Sequence, residues 1–199
     1  MPETDKKSAK APLSGGVAAL LRADFHEAVR LLDAGRWEAA AQLCRGVLAA
    51  DPRHSHALHM LGRILMDHQD QAEAGLQLIE QALAIDPGHP AMHDARGQAL
   101  LRLARPAEAV PAFERALSLR PEDVHLRHLL GLALRDAGRP QQAEIVVREA
   151  LALQPQAPGL LNSLGVLLMR RGDLIQAQYV LEQARAVAPD YAEPRSEER

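Results

Sequence analysis

Between residues 124 and 155 the apolar side chains recur with the spacing of a helix. LRHLLGLALRDA, residues 126–137, returns an apolar residue to the same face every turn. Gly138 then stands where a left-handed residue ends a helix, and Pro140 suits the first turn of the next, where a missing N–H costs nothing. In that second helix Ala143, Val146, Val147 and Ala150 fall at i, i+3, i+4 and i+7, one buried stripe. Strict apolar–polar alternation with β-branched runs is missing, so the pattern predicts an all-α fold.

The unit recurs. Pro52, Pro87, Pro121, Pro155 and Pro189 are spaced by 35, 34, 34 and 34 residues. Asp-Ala-Gly-Arg occurs at 33–36 and again at 136–139, an offset of 103, so one extra residue explains both irregularities. Gly97, Ala109, Ala116 and Pro121 become Gly131, Ala143, Ala150 and Pro155, then Gly165, Ala177, Ala184 and Pro189. The first copy offers Ala28, Ala40, Val47 and Pro52; the second Gly62, Ala74, Ala82 and Pro87. A surface turn absorbs an insertion more cheaply than a packed helix, which places the extra residue near His68–Gln71. Gly131 and Ala143 are expected where the two helices of a copy cross. Pro111, inside the second helix of the third copy, should remove one helical hydrogen bond and bend that helix.

Leu130-Gly131, Ala143, Val147, Ala150 and Pro155, with Leu164-Gly165, Ala177, Leu181, Ala184 and Pro189, resemble the tetratricopeptide repeat family. The resemblance covers roughly residues 21–189. Arg96 stands where Leu is usual, and Ala28 replaces Gly in the first copy. It implies a right-handed α-solenoid of about five helix-turn-helix units, at about 21–54, 55–89, 90–123, 124–157 and 158–191. The repeat domain then spans 17–189, between a disordered tail at 1–16 and a polar tail at 190–199.

Composition narrows the function. Aromatic residues are 3% of the chain, so Ala and Leu must pack the interior. A net charge of −3 gives no electrostatic case for nucleic acid. Lys6, Lys7 and Lys10 are the only lysines, and the Arg- and Ala-rich remainder points to a GC-rich bacterial source. One cysteine, Cys44, allows neither an intrachain disulfide nor a cysteine-based metal site. No apolar run is long enough to span a membrane, and MPETDKKSAKAPLSGG does not resemble a signal peptide. The chain reads as cytoplasmic.

Catalytic sets are absent from this pattern. Cys44 sits at a core position, Ser118 and Ser163 lie outside any nucleophile elbow, and no phosphate-cradling glycine loop exists. His54, His56, His59, His89, His93, His125 and His128 cluster at the starts of first helices, at spacings that share a helix face. No glutamate accompanies them in a metalloprotease arrangement, and they read as groove or surface residues rather than metal ligands. No catalytic residue, metal or cofactor is expected.

The family resemblance implies a concave wall formed by the first helix of each copy, at its second, fifth, ninth, twelfth and thirteenth places. These hold His56, His59, Arg63, Met66 and Asp67 in the second copy and Ala91, Asp94, Gln98, Leu101 and Arg102 in the third. The fourth gives His125, His128, Leu132, Arg135 and Asp136, and the fifth Gly159, Asn162, Val166, Met169 and Arg170. Imidazole, amide, guanidinium and Met together suit an extended or helical peptide, with arginines for a partner's acidic groups and histidines gaining charge below about pH 6.5. The carboxylate-clamp set of Lys, Asn and Arg is not reproduced. The expected function is a non-catalytic protein-interaction scaffold. The alternative is the substrate-recognition module of a bacterial glycosyltransferase or sulfotransferase whose catalytic domain lies elsewhere. Leu174, Ile175, Tyr179 and Val187 are expected to be partly uncovered at the last helix, a route to self-association.

Overall fold

The computed structural model describes residues 15–188. It contains α1 (Gly15–Asp33), α2 (Trp37–Ala50), α3 (Ser55–His68), α4 (Ala72–Ile85), α5 (Pro90–Arg102), α6 (Pro106–Leu119), α7 (Val124–Asp136), α8 (Pro140–Leu153), α9 (Pro158–Arg171) and α10 (Leu174–Val187). Among the described residues there is no strand, and no helix is long and apolar enough to cross a membrane. The expected tails, the three lysines and Pro189 lie outside the described residues, apart from Gly15 and Gly16, which begin α1.

Each helix packs on the next in sequence, giving an all-α solenoid of five antiparallel pairs. The odd-numbered helices also touch one another in series, α3 on α5, α5 on α7 and α7 on α9, whereas the even-numbered ones stand farther apart. The odd helices therefore line the inner, concave side.

The turn inside each pair is closed by the same backbone device. Arg139 N–H reaches the Leu134 carbonyl at 2.8 Å and Gly138 N–H the Arg135 carbonyl at 3.2 Å, with Gly138 at φ 75°. Gly35 and Gly172 repeat this at φ 72° and 88°. The same place holds Ala104 at φ 54° and Asp70 at φ 51°, side chains in a region that favours glycine. In the second pair the closure runs from Gln71 N–H to Leu65 O at 3.0 Å, one residue longer than elsewhere. The extra residue of the 35-residue period therefore lies in this turn, as its surface location requires.

Small residues draw the two helices of a pair together. A β-carbon at Gly131 would come within 2.7 Å of Val147 Cγ2, at Gly165 within 2.5 Å of Leu181 Cδ2, and at Gly97 within 2.6 Å of the Phe113 ring. Ala28 takes this place in the first pair, opposite the smaller Cys44, so bulk on one helix is traded against bulk on the other. The second pair is closest: a β-carbon on Gly75 would lie 2.6 Å from the Gly62 carbonyl oxygen. Gly75, not Ala74, is thus the residue equivalent to Ala109 and Ala143, because the extra residue shifts the register by one. The bare Gly75 also makes room for Met66, whose Cβ lies 3.3 Å from that same β-carbon position. Met66 is consequently buried in the core rather than facing the groove.

Pro111 leaves α6 unbroken. It is exposed, and the Ala107 carbonyl it cannot satisfy belongs to an exposed residue. One continuous core runs from Met66 and Leu76 of the second repeat to Ala177 of the fifth, and the first pair is seated on α3 through Cys44 with Leu61, Ile64 and Leu65 and through Val47 with Ala57. At the far end Leu174, Ile175 and Tyr179 are 66%, 85% and 63% exposed. Ile175 and Tyr179 hold places that also face outward as Gln141 and Ile145 on α8. The place that meets the next helix, buried Glu144 on α8, is the exposed Gln178 on α10. That end is therefore partly polar, and the apolar strip lies on its outer side.

Candidate functional site

The concave wall is built by four odd helices, and the structure sorts its expected residues into three groups. The first group is already engaged within the protein. Arg102 donates to the Met66 carbonyl at 2.5 Å and to Asp67 at 2.7 Å, and Asp67 lies 3.4 Å from Arg63. Gln98 donates to Asp94 at 2.8 Å. Arg135 forms a two-point pair with Asp136 at 2.7 and 3.2 Å. Three of the four groove arginines thus have a carboxylate of their own. Arg170 and Asn162, both exposed on α9, form no ion pair or side-chain hydrogen bond among the described residues.

The second group is a ring cluster. His56 and His59 on α3 meet His89, which stands just before α5 without a side-chain bond to it, at centroid distances of 5.3 and 6.1 Å. Phe25 of α1 adds contacts at 5.0 Å to His54 and 6.2 Å to His56. Burial, followed by the nearby charges of Arg63, His89 and His56, holds the His59 imidazole down to a pKa of about 4. Its Nε2 and the Nδ1 of His89 are buried without a hydrogen-bond partner. His93 is separate, bonded to the Pro87 carbonyl at 2.9 Å. Among the described residues no three His, Cys, Asp or Glu side chains converge as a metal site.

The third group surrounds a cavity of about 410 Å³ between the starts of α7 and α9, lined in part by His125, His128, Glu122, Gln154, Ala157 and Gly159. His128 shares a 2.9 Å hydrogen bond with the buried Ser163 across to α9. Burial first, then His125 and Arg135, lowers its pKa. His59 and His128 therefore stay neutral below the pH at which a free imidazole takes a proton, which corrects the expectation that both add charge below about pH 6.5.

Sequence reasoning missed Ser163 as a groove partner and the buried Glu144. The Glu144 carboxylate accepts from Arg148 on its own helix and from Arg171 on α9 at 2.6 Å, tying the last two repeats together. The links from His128 to Ser163 and from Glu144 to Arg171 both join neighbouring repeats, and the only signal for them in the sequence is the repeat alignment. Cys44 is fully buried, and burial pushes its thiol up to about 11, so it remains a protonated packing group.

This is the architecture of a helical-repeat binding protein. Two tetratricopeptide repeat profiles match residues 31–99 and 95–158, end to end across most of the stack. The chain belongs to the tetratricopeptide repeat family. No curated protein sequence matches it. Among solved structures, MamA from Desulfovibrio magneticus RS-1 is 21% identical with a TM-score of 0.80, covering 89% of this chain and 98% of that one. YrrB, a TPR protein with an unusual peptide-binding site, is 20% identical with a TM-score of 0.75, covering 84% of this chain and 86% of YrrB. A thermophilic TPR protein of Thermus thermophilus, TTC0263, is 23% identical with a TM-score of 0.63, covering 85% of this chain and 92% of that one. At these identities the likeness is one of fold.

Proposed function

We propose that this protein is a non-catalytic scaffold that holds a peptide segment of a partner along its concave wall, anchored in the cavity between α7 and α9. The tetratricopeptide fold makes a protein-interaction scaffold the general role. The observation that carries the finer reading is that this cavity is open, about 410 Å³ in volume, where the equivalent place between α3 and α5 is filled by His89. A pocket of that size admits one side chain of a bound segment, and the imidazoles of His125 and His128 supply polar contacts at its wall. Arg170 and Asn162, farther along α9, receive an acidic or amide group of the same segment. The peptide-binding site of YrrB, on a similar fold, supports a segment rather than a folded domain as the ligand.

Panning a random dodecapeptide phage library on the full chain tests this. A recurring consensus is expected, and its affinity for Ala157→His, which fills the cavity with the ring found at His89, is expected to fall at least about tenfold at unchanged melting temperature. No consensus, or equal affinity for that variant, overturns the reading.

A further inference from the structure

Away from the groove, the last pair of helices keeps the surface on which earlier pairs seat the helix that follows. One polar contact recurs at that seating: a carboxylate on the second helix of a repeat receives an arginine from the next repeat. Glu80 on α4 receives Arg96 of α5 at 3.2 Å, and Glu144 on α8 receives Arg171 of α9 at 2.6 Å. Glu73 on α4 lies 4.0 Å from Arg105, just before α6. On α10 the place of Glu80 is held by Glu182, three periods of 34 residues later. Glu182 is exposed and accepts a 2.9 Å bond from the neutral amide of Gln178. Among the described residues it enters no ion pair, either with Arg185 one turn further on or with any other cation. Beside it opens a second cavity of about 410 Å³, walled also by Met169, Leu174 and Leu181.

The internal junctions show what such a surface accepts. Four residues before Arg96 stands Met92 and three after it Ala99, both fully buried, Met92 with Ala82 of α4 and Ala99 in the main core with Leu76. The matching helix therefore carries one cation between two apolar residues on the same face. This chain's own first helix does not. In the places of Met92, Arg96 and Ala99, α1 has the exposed Ala23, Glu27 and the exposed Arg30, and Glu27 is paired with Arg30. A second copy stacked end to end would set Glu27 against Glu182, like charge on like charge. We propose that the α9–α10 end of the stack docks a basic amphipathic helix of another protein, with an arginine or lysine on Glu182 and flanking apolar residues in the cavity. The helix takes the place that every earlier pair gives to the following first helix, so the partner extends the stack instead of lying in its groove.

A phage library displaying a designed three-helix bundle with one face randomised tests the site, panned on the full chain and depleted on Glu182→Arg. Arg or Lys is expected to recur at one position of the surviving clones, with apolar residues four before and three after it. Their affinity should be at least about tenfold lower for Glu182→Arg, an exposed change that leaves the melting temperature unaltered. Panning on Glu182→Arg itself should exchange the recurring cation for Asp or Glu. Ala157→His, which fills the groove cavity, should leave these clones unaffected, so the two sites are told apart. No clone that discriminates against Glu182→Arg, or discriminating clones without the cation, overturns the proposal. A dimer in sedimentation velocity that Leu174→Asp disperses also overturns it, because the occupant is then a second copy.

Discussion

The junction of α3 with α5 and the junction of α7 with α9 share one backbone and differ in what their free positions carry. At the first, His89 fills the space beside His56 and His59. At the second, Ala157 takes the place of His89 and Gly159 that of Ala91, and a cavity of about 410 Å³ remains. The repeat template fixes the small residues and the turns and leaves these groove positions to vary. One junction becomes packed and the other keeps an open cavity, with no change of fold.

The two junctions are disrupted most severely at the seam beneath each. In the second repeat the seam is backbone against backbone, since a β-carbon at Gly75 would meet the Gly62 oxygen at 2.6 Å. A carbonyl cannot swing aside, so Gly75→Leu is expected to cost about 3 kcal/mol or more. In the fourth repeat the obstacle at Gly131 is the Val147 side chain, which can yield, and Gly131→Leu is expected to cost roughly 1–3 kcal/mol. Urea titrations of both variants measure the order, and a Gly131→Leu protein as stable as the parent contradicts the packing role of that residue.

Acid separates the junctions on a smaller scale. Because folding holds His59 at about 4 against 6.5 for the free ring, the unfolded chain binds its proton first. Its contribution is fully present above pH 6.5 and is lost as pH falls from there towards 4. After allowance for the ring's partial exposure this amounts to about 2 kcal/mol. Melting curves between pH 7 and 4.5 should therefore flatten more in His59→Gln than in His128→Gln. A larger effect at His128 would reverse the roles assigned to the two junctions.

The smallest effect lies in the turns that both junctions depend on. Ala104 holds a left-handed conformation that three other copies give to glycine. Ala104→Gly is expected to stabilise the protein by about 1 kcal/mol, while Gly138→Ala costs a similar amount. Thermal melts showing no difference between these two changes would argue that the turn is not strained.

Periodicity alone makes much of this fold readable. Gly138 and Pro140 mark a helix end and a helix start through their own backbone restrictions, and the close approach at Gly131 follows from register, although the side chain nearest to it is Val147 rather than the expected Ala143. Ala104 and Asp70 are not readable as left-handed residues, because the surrounding repeat imposes that conformation against their own preference. The exchange of Ala74 for Gly75 escapes the alignment because an insertion in a turn shifts every later position by one. In the groove, the family resemblance implies His125, His128, Arg135 and Asn162, but not the contacts that decide their availability. Arg102 is tied to Asp67 from 35 residues away, and His128 to Ser163 across the same interval. Such links depend on how neighbouring repeats are stacked, which no single period encodes.

The functional reading stands or falls on a partner segment anchoring between α7 and α9 on the concave wall. Hydrogen–deuterium exchange at pH 7, with and without a peptide selected on the full chain, addresses it directly. New protection is expected at residues 122–128 and 154–163, around the cavity, with the ring cluster on α3 and α5 unchanged. Protection confined to the outward faces of α2, α4, α6, α8 or α10 would contradict it.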